Sequence, residues 1–197
     1  MVLGTWPALL MHWEANRKGD GLEVEICEAT DGDAEELRQY AEALFSEKLP
    51  GVFRRAAPTL EQELEFIRSR TEPANSTLLV ARQDGAIVGL LDFAGGTLAE
   101  EAHAGTFGLS VKRGHRGKGV GTRLVEALLA WAPAHGVWRI QAWAWVNNPQ
   151  AVALYERLGF LREGLCQGAV VLDGGPIDVV LLARLLTDRC VGSSRPV

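Results

Sequence analysis

Val111-Lys112-Arg113-Gly114-His115-Arg116-Gly117-Lys118-Gly119-Val120-Gly121-Thr122 is the stretch from which the rest of the chain can be read. An apolar run, residues 107–111, enters it and an amphipathic run, residues 120–132, leaves it, so the glycines fall at a strand-to-helix turn. The first N–H groups of a helix lack intrahelical acceptors and sit at the positive end of its dipole, which makes such a turn a phosphate cradle. Gly117, Gly119 and Gly121 remove the side chains that would hold a ligand off the backbone. Arg113, Arg116 and Lys118 add positive charge at the same spot.

Two common phosphate patterns fail. In G-x-x-x-x-G-K-S/T, Gly114 and Gly119 are correctly spaced but Val120 stands where the lysine belongs. In G-x-G-x-x-G counted from Gly117, the third glycine falls on Thr122. What remains, Arg116-x-x-Gly119-x-Gly121, resembles the acetyl-coenzyme A loop of the GNAT superfamily of N-acetyltransferases, R/Q-x-x-G-x-G/A. A second segment, residues 146–160, reads locally as a helix: Asn148 as N-cap, Pro149 at the first helical position, Ala151, Leu154, Tyr155 and Leu158 on one face, and Gly159 as terminator. It also matches the family's N-x-x-A-x-x-L-Y-x-x-x-G-F pattern at every fixed position. Two independent motifs, in order and on the expected elements, carry the resemblance, which extends over about residues 22–186.

Working outward, Leu22, Val24 and Ile26 alternate as a first strand, and a helix follows through Ala34, Leu37, Tyr40 and Leu44. Leu49-Pro50-Gly51 breaks the pattern, and Thr59 with Gln62 reads as the capping box of a second helix. Residues 77–82 and 86–93 are strands joined by a hairpin turn at Gln83-Asp84-Gly85, and residues 106–111 form the strand that feeds the glycine loop. Short turns joining three strands indicate an antiparallel meander rather than alternating strands and helices. Residues 138–146 alternate as a further strand, whose Trp143 and Trp145 are expected to pack against neighbouring elements. Residues 161–164, 173–175 and 177–181 resemble the family's closing hairpin. The resemblance implies an α+β, three-layer α/β/α fold. Its mixed, mostly antiparallel sheet would have six to seven strands, splayed at the cofactor site, with helices on both faces.

The 197 residues, 47% hydrophobic and 23% charged, suit one globular domain over 22–186, with an N-terminal extension at 1–21 that is expected to be mobile and a C-terminal tail at 187–197. The apolar patch at Trp6 to Met11 is too short to span a bilayer, and no membrane association is expected. A net charge of −5 argues against nucleic acid as a partner. Cys27, Cys166 and Cys190 are odd in number and far apart, which fits reduced thiols in a cytoplasmic protein and no metal site.

The resemblance implies acetyl transfer from acetyl-coenzyme A to a primary amine of a small molecule, an amino acid or a protein N-terminus, by direct attack. A non-catalytic acyl-coenzyme A sensor or scaffold is the alternative. By the same resemblance, Arg116, Gly117, Lys118, Gly119, Val120, Gly121 and Thr122 hold the pyrophosphate; backbone donors at Leu109, Ser110 and Val111 polarise the thioester; and Asn148 bonds the pantetheine arm. The resemblance also makes Tyr155 the candidate general acid, a role that suits a phenol, whose pKa near ~10 keeps its proton on at neutral pH. For the base, Glu101, Glu100, His103 and Asp92 are candidates in falling order, since residues 106–111 carry no carboxylate. Phe53 and Arg54, with Arg55, lie in a loop that would face the acceptor. A homodimer through the last strands is expected by analogy alone.

Overall fold

A computed structural model describes residues 24–52 and 55–186. The expected extension 1–21, the tail 187–197, Cys190, and the acceptor-loop residues Phe53 and Arg54 lie outside the described residues.

The first strand, β1 (Glu25–Glu28), leads through a 3-10 turn to α1 (Ala34–Ser46). The second helix, α2 (Leu60–Thr71), starts at the predicted box: Gln62 N–H donates to Thr59 Oγ1 and Thr59 N–H donates to Gln62 Oε1. Next come β2 (Thr77–Gln83) and β3 (Ala86–Gly95), joined at Asp84 and Gly85, both at positive φ (50° and 79°). That is the backbone a two-residue turn needs to match strand twist. Then follow β4 (Ala104–Val111), α3 (Val120–Trp131), β5 (Arg139–Trp145), α4 (Pro149–Arg157), β6 (Leu161–Leu172) and β7 (Gly175–Leu185).

The strands form one sheet in the order β1-β2-β3-β4-β5-β7-β6. Neighbours are antiparallel except β4 and β5, which run parallel. Alternation along the strands supplies two cores. On one face Leu91, Phe93, Phe107, Ile140 and Ala142 pack with Val120, Leu124 and Leu128 of α3 and with Val152 and Tyr155 of α4. On the other, Leu78, Val80 and Ile87 pack with Leu37, Tyr40 and Ile67 of α1 and α2. The result is the expected three-layer architecture with a seven-stranded sheet.

The parallel pair is the exception that makes a site. β4 meets β5 only from Ala104↔Arg139 to Phe107↔Ala142. Beyond that point Gly108 to Val111 keep their partners in β3, and Trp143 to Trp145 keep theirs in β7, so the two strands part inside a continuous sheet. Trp145 is buried, but Trp143 is 60% exposed, against the expectation that it packs. Its side chain points to the α1/α2 face at the place where β5 has lost β4 as a neighbour.

Candidate active site

The gap between β4 and β5 is lined by main chain. Lys112 N–H donates to Val88 O in β3, and the direction of N–H alternates along a strand, so the amides of Val111 and Leu109 point the other way, into the gap. The loop of residues 112–119 then carries β4 to α3. Gly114, Gly117 and Gly119 adopt φ of 86°, 72° and 84°, a region that only glycine enters freely, and a Cβ on any of them would meet nothing within 4 Å. The loop therefore offers bare backbone to solvent at the N-terminus of α3, where the Val120, Gly121 and Thr122 amides have no intrahelical acceptor. Lys118 and Arg113 are exposed beside it. These features suit a pyrophosphate.

Arg116 is held within the fold. Its Nε donates to Val111 O (2.7 Å), and its Nη1 and Nη2 donate to the two carboxylate oxygens of Glu47 at 2.8 and 2.9 Å. Glu47 follows the last turn of α1, so the arginine ties that helix to the loop, and its bonds hold the Glu47 carboxyl below the usual carboxylate range. A second tie joins Tyr40 Oη and Ser110 Oγ (3.0 Å), and burial pushes the Tyr40 phenol up to about 12. His115 Nδ1 hydrogen-bonds Gln83 Oε1 (3.0 Å).

α4 brings Tyr155 to the base of the gap, where its ring packs edge-on against Phe107 with centroids 5.2 Å apart, beside Phe160. The residue is buried, and desolvation raises its pKa above the ordinary phenol value. No partner for its hydroxyl exists among the described residues. Asn148 caps α4, its Oδ1 accepting from Ala151 N–H (3.3 Å), while its Nδ2 donates to Pro50 O (3.3 Å). One carboxamide thus starts the helix and pins the loop after α1 to the end of β5.

On the α1/α2 face, Asp92 of β3 stands opposite Gly108 of β4. A Cβ on Gly108 would collide with Asp92 Oδ1, so the carboxylate lies over the β4 backbone where the gap opens. Arg70 Nε of α2 is 3.7 Å from Asp92 Oδ2 and, although buried, makes no hydrogen bond.

The family model for the acetyltransferase (GNAT) family matches residues 37–160. The chain belongs to that family. An acetyltransferase of the GNAT family from Streptococcus pneumoniae superposes with a TM-score of 0.78 at 26% identity, over 84% of this chain and 100% of that one. A GNAT superfamily phosphinothricin acetyltransferase from Sinorhizobium meliloti, solved in complex with acetyl-coenzyme A, has the same fold: TM-score 0.75, 20% identity, 88% of this chain and 93% of that one. YwnH of Bacillus subtilis, whose name assigns it provisionally to the phosphinothricin acetyltransferases, is 36% identical over 72 residues, 36% of this chain and 44% of its own. The matches span less than half the length of the curated relatives.

Within this GNAT chain Leu109 and Val111 border the gap and the glycine loop follows them, α4 sets Tyr155 against Phe107, Asn148 caps α4 and bonds Pro50, and the Arg116 side chain is taken up by Glu47 and Val111. Glu101, the first choice as base, does not join them. It is exposed in the turn between β3 and β4, at the opposite end of β4 from the loop. From Ala104 to Gly108 alone the strand runs about 13 Å at ~3.3 Å per residue. Glu100 lies in the same turn, and His103 is stacked on Trp138 at 4.0 Å. The Glu47–Arg116 and Tyr40–Ser110 ties had no signal in the sequence, because each joins segments some 70 residues apart.

Proposed function

We propose that the chain is an acetyl-coenzyme A-dependent N-acetyltransferase acting on a primary amine of a small molecule, an amino acid or a protein N-terminus. The observation that carries this reading is the parting of β4 from β5 after Phe107↔Ala142, with the open glycine loop at the end of β4 and Tyr155 at its base. Bound acetyl-coenzyme A would supply an activated acetyl group; the rest falls to the chain. The amides of residues 117–122 and Lys118 bind the pyrophosphate. The Leu109 amide, fixed by β-pairing on its other side, donates to the thioester oxygen without reorganising as charge develops. Tyr155 keeps its proton throughout the neutral range and presents it to the departing sulfur. Asn148 holds the acceptor-side loop against β5 and so shapes the space where the amine arrives.

Thermal shift tests donor recognition. At about 100 times its Kd, acetyl-coenzyme A adds ~2.7 kcal/mol of stability, while ATP and NAD at the same concentration add none. Stabilisation by ATP or NAD without any by acetyl-coenzyme A would overturn the reading.

A further inference from the structure

The central strands β3, β4 and β5 contain a single carboxylate among them, and it lies at the gap. Within 86–95, 104–111 and 139–145 the only acidic residue is Asp92. The β3–β4 register sets it opposite Gly108, the first residue of β4 without a β5 partner. Because Gly108 has no side chain, Asp92 Oδ1 occupies the space a Cβ would take, on the α1/α2 face of the sheet. Tyr155 and Phe107 lie on the opposite face. The Asp92 side chain is 30% exposed, enclosed yet open to a ligand.

We propose that Asp92 is the proton acceptor for the amine substrate, its carboxylate lying over the bare Gly108 backbone on the α1/α2 side of the opening. This rests on the acetyl-transfer reading. Asp92 takes one proton from the arriving ammonium, leaving a nitrogen lone pair that forms the N–C bond. As the C–S bond breaks with its electron pair on sulfur, Tyr155 Oη protonates the sulfur and regains a proton from solvent. The second amine proton leaves to solvent, as does the one on Asp92 before the next turnover. The products are amide, free thiol and one net proton. Burial raises the Asp92 pKa, which suits a base. The charges acting against that rise are Arg70 of α2 and Arg55; Glu63 is buried on the same helix, two turns before Arg70, and Tyr40 of α1 is engaged by Ser110.

The test combines Asp92→Asn, Asp92→Glu and Gly108→Ala with three readouts: kcat/KM against pH for an accepted amine, acetyl-coenzyme A affinity by calorimetry, and the carboxyl-carbon NMR titration of Asp92 in the free wild-type protein. Asp92→Asn is expected to lower kcat/KM by about 10²-fold or more and to abolish the acidic limb of its pH profile. Its acetyl-coenzyme A affinity should stay within about twofold, and Asp92→Glu should restore part of the rate. Gly108→Ala, which drives the carboxylate aside, should reproduce the loss and covers the case in which Asp92→Asn fails to fold. The wild-type carboxyl should titrate above the ordinary aspartate range. An active Asp92→Asn with the acidic limb intact, or a titration at or below the ordinary range, overturns the proposal and leaves acetyl transfer standing. A wild-type protein that binds no acetyl-coenzyme A overturns both.

Discussion

Tyr155 and Asn148 show how one side chain serves structure and site together. The Tyr155 ring joins Phe107 and Phe160 in an edge-to-face cluster, an arrangement worth about 0.5–1.5 kcal/mol per pair beyond area buried. Its hydroxyl has no partner among the described residues, so Tyr155→Phe should unfold within about 1 kcal/mol of wild type in urea. In the same variant kcat should fall by about 10²-fold with acetyl-coenzyme A affinity kept; an unchanged kcat would remove Tyr155 from the chemistry. Asn148→Ala should cost about 1 kcal/mol through the lost cap. It should also raise the KM for the amine, since Pro50 loses its donor. The cap was legible in the sequence because N-cap, proline, apolar face and terminal glycine are all local. The bond to Pro50 was not, because it spans 98 residues. Asp92 was legible only as the last of four candidate bases; its register opposite Gly108, which sets it beside the gap, is encoded by no local pattern.

Two contacts between elements hold the glycine loop and α3 in place. At Gly89 of β3 an added Cβ would lie 2.9 Å from Val120 Cγ1 and 3.0 Å from Leu124 Cδ1, so α3 seats directly on the strand backbone. Gly89→Ala should therefore destabilise by about 1–3 kcal/mol, read as a lower urea midpoint with an unchanged slope. The Glu47–Arg116 pair fixes the end of α1 on the loop. Because Arg116 lowers the folded-state pKa of Glu47, this contribution is present above the ordinary glutamate range and is lost as pH falls through the lowered value. The Tm difference between wild type and Glu47→Gln should accordingly be largest near neutrality and shrink steadily as pH falls below the ordinary glutamate range; a difference that does not change with pH would show that the ion pair does not bear on folding. The capping box of α2, the β2–β3 turn and the helix face of α3 were readable, since each repeats within a few residues. Exposure of Trp143 was not, because alternation assigns a face without saying what covers it.

At the scale of the molecule, the meander and the two motifs suffice to indicate a mixed sheet with helices on both faces. They do not reveal where the parallel pair ends, since that depends on β3 and β7 each retaining its own strand while β4 and β5 diverge. That divergence is the feature on which the functional account rests: it frees backbone amides of β4 beside a glycine loop and sets Tyr155 and Asp92 on opposite faces of one opening. No helix among the described residues is long and apolar enough to cross a membrane, and the described residues contain no cluster of three or more potential metal ligands. The most direct test is release of free thiol from acetyl-coenzyme A by the full-length protein across a panel of small amines, amino acids and peptide N-termini, with acetylated product identified by mass. Amine-dependent thiol release, matched one to one by N-acetylated product, is the expected result. Tight acetyl-coenzyme A binding with no thiol released above the rate without enzyme, for any acceptor class, would contradict it and identify the chain as an acyl-coenzyme A-binding module.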